Sequence, residues 1–527
     1  MSRPPSPDAA LLSVYDRGGV VELARALAAR GVPLYATGGT RAHLAAHGIE
    51  AGDVGELTGY PALFDGRVKT LHPAIFGAIL KDRDDPVHRE EALRHGIPTI
   101  ATVVVNLYPF EATVAQEGAT LQEAIEQIDI GGVSLIRAAA KNFDHVTVLS
   151  DPAQYPAFLA ALDAGGVDSA TRRAYATRAF ERTAEYDSAI ARYLEAGLLA
   201  NELPGSLALT IPIAQPLRYG ENPQDRAAFY LAREAQLPEQ LGGKALSYNN
   251  LLDLDATLRM LVRAPLGFAA DAPSPFARRS VARAAIVKHT VPCGVAERDT
   301  VADAVRAALD ADPVSAYGGI IAVDGTVDAA AAAHLAQFFL EIVAAPAFDD
   351  DALARLRKKK NLRIMRYRAG MPEKIAEELR VRSALGGVLA EDDDPQAPRE
   401  RWSVVSRRAP DEREWRDLAF AWDVVRHVKS NGVVVLRDGV TRGICAGQTN
   451  RVSAVQIATH RAHEHARGAA CASDGFFPFD DGLVAAADAG CTAVIAPSGS
   501  IRDAEVIAAA DARNLALVFS THRYFLH

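Results

Sequence analysis

A chain of 527 residues with 49% hydrophobic and 23% charged residues is ordinary globular material, long enough for about two to four domains rather than one core. A net charge of −9, with no basic face, argues against a protein built to coat nucleic acid or an anionic membrane, so small molecules are the expected partners. Cys293, Cys445, Cys471 and Cys491 stand far apart without a C-x-x-C, which indicates neither a disulfide framework nor a structural zinc site; no apolar run reaches the roughly 18 residues that span a bilayer, and reduced cytosol is the expected compartment.

Residues 11–14 read as a strand, 20–29 as a helix and 32–36 as a second strand, together a β-α-β unit. The second strand runs into Thr37-Gly38-Gly39-Thr40, with Thr40 the expected N-cap of a helix over 41–47. N–H groups converging there suit a phosphate, and a bare tight turn fits the four residues equally well. Residues 65–73, D-G-R-V-K-T-L-H-P, mix cations with hydroxyl and imidazole groups: Arg67 offers an anion a fork, and Lys69 is a compact charge able to polarise a carbonyl. A β-branched strand over 102–105 delivers Asn106 and Tyr108 beyond its end. Ile128-Asp129-Ile130-Gly131-Gly132 precedes a helix over 133–140, and Lys141 lies in its last turn, where a cation complements the dipole.

In this order and spacing, S-V-x-D, T-G-G-T, G-R-V-K-T-L-H-P, N-L-Y-P-F and I-D-I-G-G-x-x-L-I-R-A-A-A-K-N resemble the IMP cyclohydrolase domain of the bifunctional purine-biosynthesis enzymes, over residues 1–200. The resemblance implies a methylglyoxal-synthase-like, doubly wound α/β domain that closes the ring of a formylated aminoimidazole carboxamide ribonucleotide. It places Arg67, Lys69 and Thr70 on the nucleotide, with Asn106 and Gly131 also at its site, and Ser13, Arg17, Thr37 and Gly39 near its phosphate. Lys69, Tyr108, Asp129 and Lys141 fall on the catalytic positions. Tyr15 and Arg17 stand where the family usually has serine and lysine, which alters the phosphate contact.

Residues 151–200 read as helices and 201–216, with three prolines, as a linker. L-R-Y-G-E-N-P-Q over 217–224 places a guanidinium and a phenol in a polar turn, and G-K-A-L-S-Y-N-N over 243–250 ends at Asn250, the expected N-cap of a helix over 251–262. Residues 264–279 read as an exposed loop. The apolar run 285–287 then meets Lys288 and His289. Neighbouring side chains on a strand point to opposite faces, so the two share a site only where the strand has broken, with Pro292 and Gly294 as the expected punctuation. An ammonium beside an imidazole disfavours the imidazolium, so the pair suits a proton acceptor near neutral pH. A solvated lysine beside a turn-capping histidine is the competing reading of the pair alone. A helix over 301–309, S-A-Y-G-G and a strand over 320–323 follow, and a similar order recurs at 433–437, 443–451 and 492–496. Two related subdomains are expected, about 217–400 and 401–527, without a recognisable sequence repeat.

L-R-Y-G-E-N-P-Q, G-K-A-L-S-Y-N-N, V-K-H-x-x-P-C-G, S-A-Y-G-G, K-S-N, A-G-Q-x-x-R and S-D-G-F-F-P-F resemble the formyltransferase half of the same enzymes. The resemblance implies two cytidine-deaminase-like α/β subdomains, 10-formyltetrahydrofolate as co-substrate, no catalytic metal, and a homodimer with formyl-transfer sites built from both protomers. It makes His289 the base, Lys288 its partner and Asn431 a donor to the formyl oxygen. Arg218, Tyr219, Arg451 and Arg523 match nucleotide contacts, as do Tyr317, Gly318 and the acidic Glu341, and Phe476 and Phe479 match apolar contacts near the folate. Thr449, Asn450 and Cys445 depart from the family pattern.

Two rivals follow from the same residues. A zinc hydrolase lacks its second cysteine after Cys293 and the glutamate of H-x-E. An effector-binding N-terminal module needs no phenol or second lysine beyond an anion site, so Lys69, Tyr108 and Lys141 distinguish the enzyme reading.

Overall fold

The computed structural model describes residues 8–60, 64, 68–116, 118–196, 203, 205–231, 235–263, 281–392 and 400–527. Arg67 and the 264–279 loop lie outside the described residues. The chain divides into two compact units at Pro212–Ile213, inside the 201–216 stretch.

The first unit is built on five parallel strands, β1 (Ala9–Ser13), β2 (Leu34–Ala36), β3 (Gly52–Asp53), β4 (Ile100–Val105) and β5 (Thr147–Leu149), in the order β3-β2-β1-β4-β5. Alternate residues of β1 serve two cores: Ala9 and Leu11 pack with Leu135 and Tyr186, Ala10 and Leu12 with Leu23 and Phe158. A parallel strand covered on both faces must be apolar throughout, which is why β4 reads I-A-T-V-V-V. Strand order reverses between β1 and β4, so their carboxyl ends open the crevice in which such sheets bind ligands.

The second unit has two small hairpins, β6 (Ile213–Leu217) with β7 (Ala227–Tyr230) and β14 (Arg380–Ala384) with β15 (Gly387–Glu391). Its main sheet comprises β8 (Glu239–Gly242), β9 (Ala282–Lys288), β10 (Val291–Arg298), β11 (Ile320–Val323), β12 (Ile342–Ala345), β13 (Arg363–Arg366), β16 (Trp402–Val404), β17 (Val433–Arg437), β18 (Val440–Cys445), β19 (Ala470–Ser473), β20 (Ala493–Pro497) and β21 (Ala516–Ser520). The order β16-β21-β20-β19-β17-β18-β10-β9-β11-β12-β13-β8 is the same six-strand pattern twice, head to head. Each half has an antiparallel hairpin, three mutually parallel strands and an antiparallel edge strand.

Side-chain packing repeats as well. A Cβ on Gly294 of β10 would land on the carbonyl oxygen of Ala308, and one on Gly443 of β18 on that of Ala458, so each hairpin lets its following helix approach to backbone contact. The helices Tyr248–Arg259 and Glu412–Val425 cover one face of both halves over a shared core. The opposite face carries a separate core for each half. Arg283 of β9, buried against the Phe420 ring at 4.9 Å, pairs with Glu297 of its own hairpin at 2.8 Å and joins the halves through Asp423 at 2.7 Å.

Candidate active sites

In the first unit the carboxyl ends of β1, β2 and β4 surround a cavity of about 1270 Å³. The structure brings Ser13, Arg17, Thr37, Gly39, Lys69, Thr70, Asn106, Tyr108, Asp129 and Gly131 to its wall, together with Tyr15. The T-G-G-T entrance differs from the sequence expectation. The helix runs Gly38–Ala46 with Thr37 at its N-cap, so the glycines form its first turn. Thr40, buried inside that turn, exchanges hydrogen bonds with the backbone of Val14, and Thr37 Oγ1 donates to Ser13 Oγ at 3.1 Å. His72 caps the helix Pro73–Leu80, its Nδ1 accepting from Ala74 N at 3.2 Å.

The I-D-I-G-G run shows why its glycines are there. A Cβ on Gly132 would strike the Asp129 carboxylate, and one on Gly131 would lie 2.7 Å from Thr70 Oγ1, so both groups close on the first turn of the helix Gly131–Lys141. That turn's unpaired N–H groups and positive dipole end face the cavity. Asp129 Oδ1 accepts from Gly132 N at 2.6 Å. Burial raises the Asp129 carboxyl above its ordinary range, opposed by the N–H groups of Gly132 and Tyr108 and by the Lys69 charge. Partial burial, with Asp129 nearby, pushes the Tyr108 phenol up, so it keeps its proton through neutral pH.

Asn106, on the cavity wall, is also bonded to the backbone of the 15–16 turn. Its amide oxygen accepts from Tyr15 N and Asp16 N at 2.7 and 2.9 Å and its NH2 donates to Asp16 O at 2.8 Å, so the side chain is spent on folding the 15–16 turn over the cavity. Tyr15 meets Tyr108 edge to face, ring centroids 5.7 Å apart. Lys141 is not brought to this cavity. It ends the eleven-residue helix that Gly131 begins, about 15 Å away at 1.5 Å per residue, and lines a separate cavity of about 590 Å³ with Arg137 and Phe180.

In the second unit β9 ends at Lys288 and pairs directly with Val291, so His289 and Thr290 are the two central residues of a hairpin turn. Their φ values of +58° and +59° are what a type I′ turn requires, at about 1–3 kcal/mol for each residue that is not glycine. The break therefore falls at His289–Thr290, while Pro292 and Gly294 lie inside β10 at a register shift where a missing N–H is tolerated. Lys288 Nζ donates to the Tyr317 carbonyl at 2.8 Å. Asp253 accepts from both turn N–H groups, His289 at 3.2 Å and Thr290 at 2.7 Å. A cavity of about 720 Å³ beside this turn lies along Val291 to Cys293 and Arg442 to Ile444. Burial pushes the Cys293 thiol up to about 12, so it keeps its proton through neutral pH. Gly318 follows Tyr317, whose ring packs on Phe339 at 5.0 Å, and Glu341 is held by Arg363 Nη1 at 2.6 Å.

A second group of predicted residues gathers where β17 begins. Asn431 donates from Nδ2 to Gln448 O at 2.7 Å, which leaves one amide hydrogen for a ligand. Arg451, buried at the start of the helix Arg451–Ala462, bonds Ser473 Oγ at 3.1 Å and pairs with the fully buried Asp474, which also accepts from Ser430 Oγ. Asn450 caps that helix and Cys445 is buried in β18, so both departures from the family pattern have structural places. Gly475 leaves room for the Phe525 ring beside Arg451, and Arg523 lies 4.7 Å over that ring. Phe477 is core, whereas Phe476 and Phe479 are exposed, Phe479 under Arg502 at 4.7 Å. Arg218 and Tyr219 pair with each other, guanidinium to ring centroid 4.7 Å.

Comparison with known proteins decides the family. Residues 139–461 match the AICARFT/IMPCHase bienzyme family and residues 19–134 an MGS-like domain. The bifunctional purine biosynthesis protein PurH of Desulfitobacterium hafniense (strain DSM 10664 / DCB-2) is 47% identical, covering 98% of this chain and 99% of its own. PurH of Jannaschia sp. (strain CCS1) is 45% identical over 100% of both. The chain belongs to the AICARFT/IMPCHase bienzyme family. The crystal structure of ForH matches 35% of this chain and 98% of its own at 36% identity, with a TM-score of 0.32.

Within this bienzyme several supporting residues carried no signal strong enough to be read in advance. Tyr186, fully buried, donates to Gln127 O at 2.6 Å and accepts from Asp129 N at 2.9 Å, fixing the loop that carries Asp129 from 57 residues away. Asp253, Asp474 and Glu400 act in the same manner on the second unit. Asp474 was visible only as a letter in S-D-G-F-F-P-F, and Glu400 had no motif. Among the described residues, Asp82, Asp84 and His145 form the one group of three with metal-ligand spacing; all are on the first unit outside the cavity wall.

Proposed function

We propose that the second unit transfers a formyl group from 10-formyltetrahydrofolate to 5-aminoimidazole-4-carboxamide ribonucleotide, and that the first unit closes the product to IMP with loss of water. The bienzyme thus performs the last two steps of IMP biosynthesis. The observation that carries the site assignment is the meeting of Lys69, Tyr108 and Asp129 with a helix N-terminus at one cavity. A phosphate sensor needs the N-terminus but neither the phenol nor the buried carboxylate.

In ring closure the carboxamide nitrogen attacks the formyl carbon of the same ligand. Holding both ends in register contributes about 7–11 kcal/mol in favourable intramolecular cases. Lys69 polarises the formyl oxygen, Asp129 takes a proton from the attacking nitrogen, and Tyr108 relays a proton to the departing oxygen. Arg17, Ser13, Thr37 and Gly39 hold the phosphate, with Arg67 and Thr70 on the nucleotide.

In formyl transfer the substrate amine is weak because its lone pair is delocalised into the ring. His289 takes its proton as nitrogen attacks the formyl carbon, Asn431 donates to the developing oxyanion, and Lys288 assists the departing folate nitrogen. Arg218, Tyr219, Arg451 and Arg523 hold the nucleotide, Phe476 and Phe479 the folate. Both reactions are complete with side chains alone and call for no metal. The working form is a homodimer whose formyl-transfer sites draw on both protomers. Lys288 and Asn431 lie three strands apart, β9 to β17, which is about 14 Å at the usual spacing and beyond joint reach of one formyl group. Four free cysteines and the absence of any described helix long and apolar enough to cross a membrane support the cytosol as its place.

The test is product analysis: purified protein with both substrates, formylated intermediate and IMP quantified over time. IMP with little intermediate is expected; Asp129→Asn accumulates intermediate, and His289→Ala makes neither. IMP production by both variants at the parent rate overturns the assignment.

A further inference from the structure

The turn that carries His289 has a twin. β17 ends at Arg437, which pairs directly with Val440, so Asp438 and Gly439 hold the positions of His289 and Thr290, at φ +53° and +67°. In each half one aspartate from the helix preceding the hairpin accepts both turn N–H groups. Asp417, on the helix Glu412–Val425, bonds Asp438 N and Gly439 N at 3.0 and 2.9 Å; Asp253, on the helix Tyr248–Arg259, bonds His289 N and Thr290 N at 3.2 and 2.7 Å. Asp-Gly is the sequence such a turn selects, because glycine takes a positive φ freely. His-Thr is not, since a β-branched threonine there crowds its own backbone. The clamp is therefore built onto an easy turn in one half and onto a strained one in the other, and the strained one bears the lysine and histidine.

We propose that Asp253 is a positioning residue for formyl transfer: by pinning both N–H groups of the His289–Thr290 turn it fixes the direction in which Lys288 and His289 leave the hairpin. The proposal rests on the reading of His289 as the base. Without the clamp the turn relaxes toward negative φ at Thr290, which swings the His289 peptide and displaces its imidazole from the amine.

The test measures steady-state formyl transfer by the full chain for Asp253→Ala, Asp253→Asn, Asp253→Ala combined with Thr290→Gly, and His289→Ala. Ring closure by each preparation serves as internal reference. Asp253→Ala is expected to lower kcat about 100-fold, the scale of a 1 Å misplacement, with the nucleotide KM and ring closure unchanged. Asp253→Asn, which keeps one acceptor oxygen, loses less. Thr290→Gly in the alanine background restores kcat, because glycine holds the conformation unaided. A parental kcat in Asp253→Ala overturns the proposal, and so does a loss that Thr290→Gly fails to restore. Where the alanine variant does not fold, Asp253→Asn with and without Thr290→Gly makes the same comparison. Parental formyl transfer by His289→Ala removes the underlying reading of the base, an outcome independent of any Asp253 variant.

Discussion

Glu400 is the residue whose loss separates binding from chemistry most cleanly. Its Oε1 accepts from the indole N–H of Trp402 at 2.8 Å, from that of Trp422 at 2.7 Å and from Ser520 Oγ at 2.5 Å, and its Oε2 from Tyr524 OH at 2.8 Å. Beyond β21 the chain runs without further helix or strand, Tyr524 and Leu526 partly covered and Arg523 and Phe525 exposed. Tyr524 N donates to Asp474 O, and Leu526 O accepts from Ser430 N, so the inward residues are pinned and the outward ones are presented beside Arg451. Glu400→Ala removes the Tyr524 bond to the tail and the Ser520 bond to the strand end from which the tail leaves, each a hydrogen bond to a charged acceptor contributing about 1.5–3 kcal/mol. Because both share one carboxylate, the lower part of the combined range of about 3–6 kcal/mol is expected. A displaced Arg523 then loses one charge-assisted contact of the same class, which raises the nucleotide KM of formyl transfer about 10- to 150-fold. Steady-state formyl transfer with the nucleotide varied reads this, with ring closure in the same sample as the internal reference. Glu400→Gln, which keeps an acceptor for the indoles and Ser520, falls between. A Glu400→Ala KM equal to the parent's would refute the reasoning, as would an equal loss of ring closure.

Ring closure has an acid limb with its midpoint above about 3.9, the ordinary aspartate value, because burial raises the Asp129 carboxyl and the proton-accepting carboxylate is lost as pH falls through that raised value. The same shift makes the first unit less stable as pH rises from the unfolded value to the folded one, and Asp129→Asn flattens that decline in a pH series of thermal unfolding; a midpoint at or below the ordinary value contradicts both. Lys141→Ala can affect ring closure only where a second copy brings Lys141 in: activity lost in that variant returns on mixing with Asp129→Asn protein, an undiminished rate removes Lys141 from the chemistry, and a loss that mixing leaves in place contradicts the 15 Å helix between them. Gly443→Ala drives a methyl into the Ala458 carbonyl and lowers the stability of the second unit by about 1–3 kcal/mol, measured by thermal unfolding against Gln456→Ala, an exposed position of the helix Arg451–Ala462, as a surface comparison; an unchanged midpoint means the helix moves aside.

What could be read in the sequence was whatever one short segment decides by itself. The apolar β4 run and the Gly131–Gly132 entrance each follow from side chains within a few residues, and the family motifs lie on such segments. What could not be read comes from residues brought together by the fold. Thr40 was expected to cap a helix and instead sits within its first turn, tied to Val14 across 26 residues. Lys141 belongs to the Asp129 motif in sequence, yet the straight helix between them carries it away from the cavity. Tyr186, Asp253 and Glu400 act across 57, 36 and 124 residues on groups whose own motifs are silent about them. Pro292 and Gly294 announced a turn and proved to mark a register shift, because the turn two residues earlier uses His and Thr, for which no propensity rule would search.

The duplicated sheet explains why the chemistry sits where it does. Two halves with the same strand order, the same glycine under the same helix and the same aspartate beneath the same hairpin were free to differ only where the scaffold did not constrain them. The turn at Asp438–Gly439 kept the sequence that folds best, and its neighbour Arg437 donates to Arg467 O at 2.6 Å as a structural cation. The turn at His289–Thr290 gave up that preference, and Lys288 stands at the position of Arg437. A local rule broken in one copy and obeyed in the other cannot be charged to the fold, which tolerates the favoured sequence in the same place. The strain at φ +58° and +59° therefore belongs to what His289 and Lys288 do, and the clamp from Asp253 is the means by which an otherwise ordinary hairpin holds it.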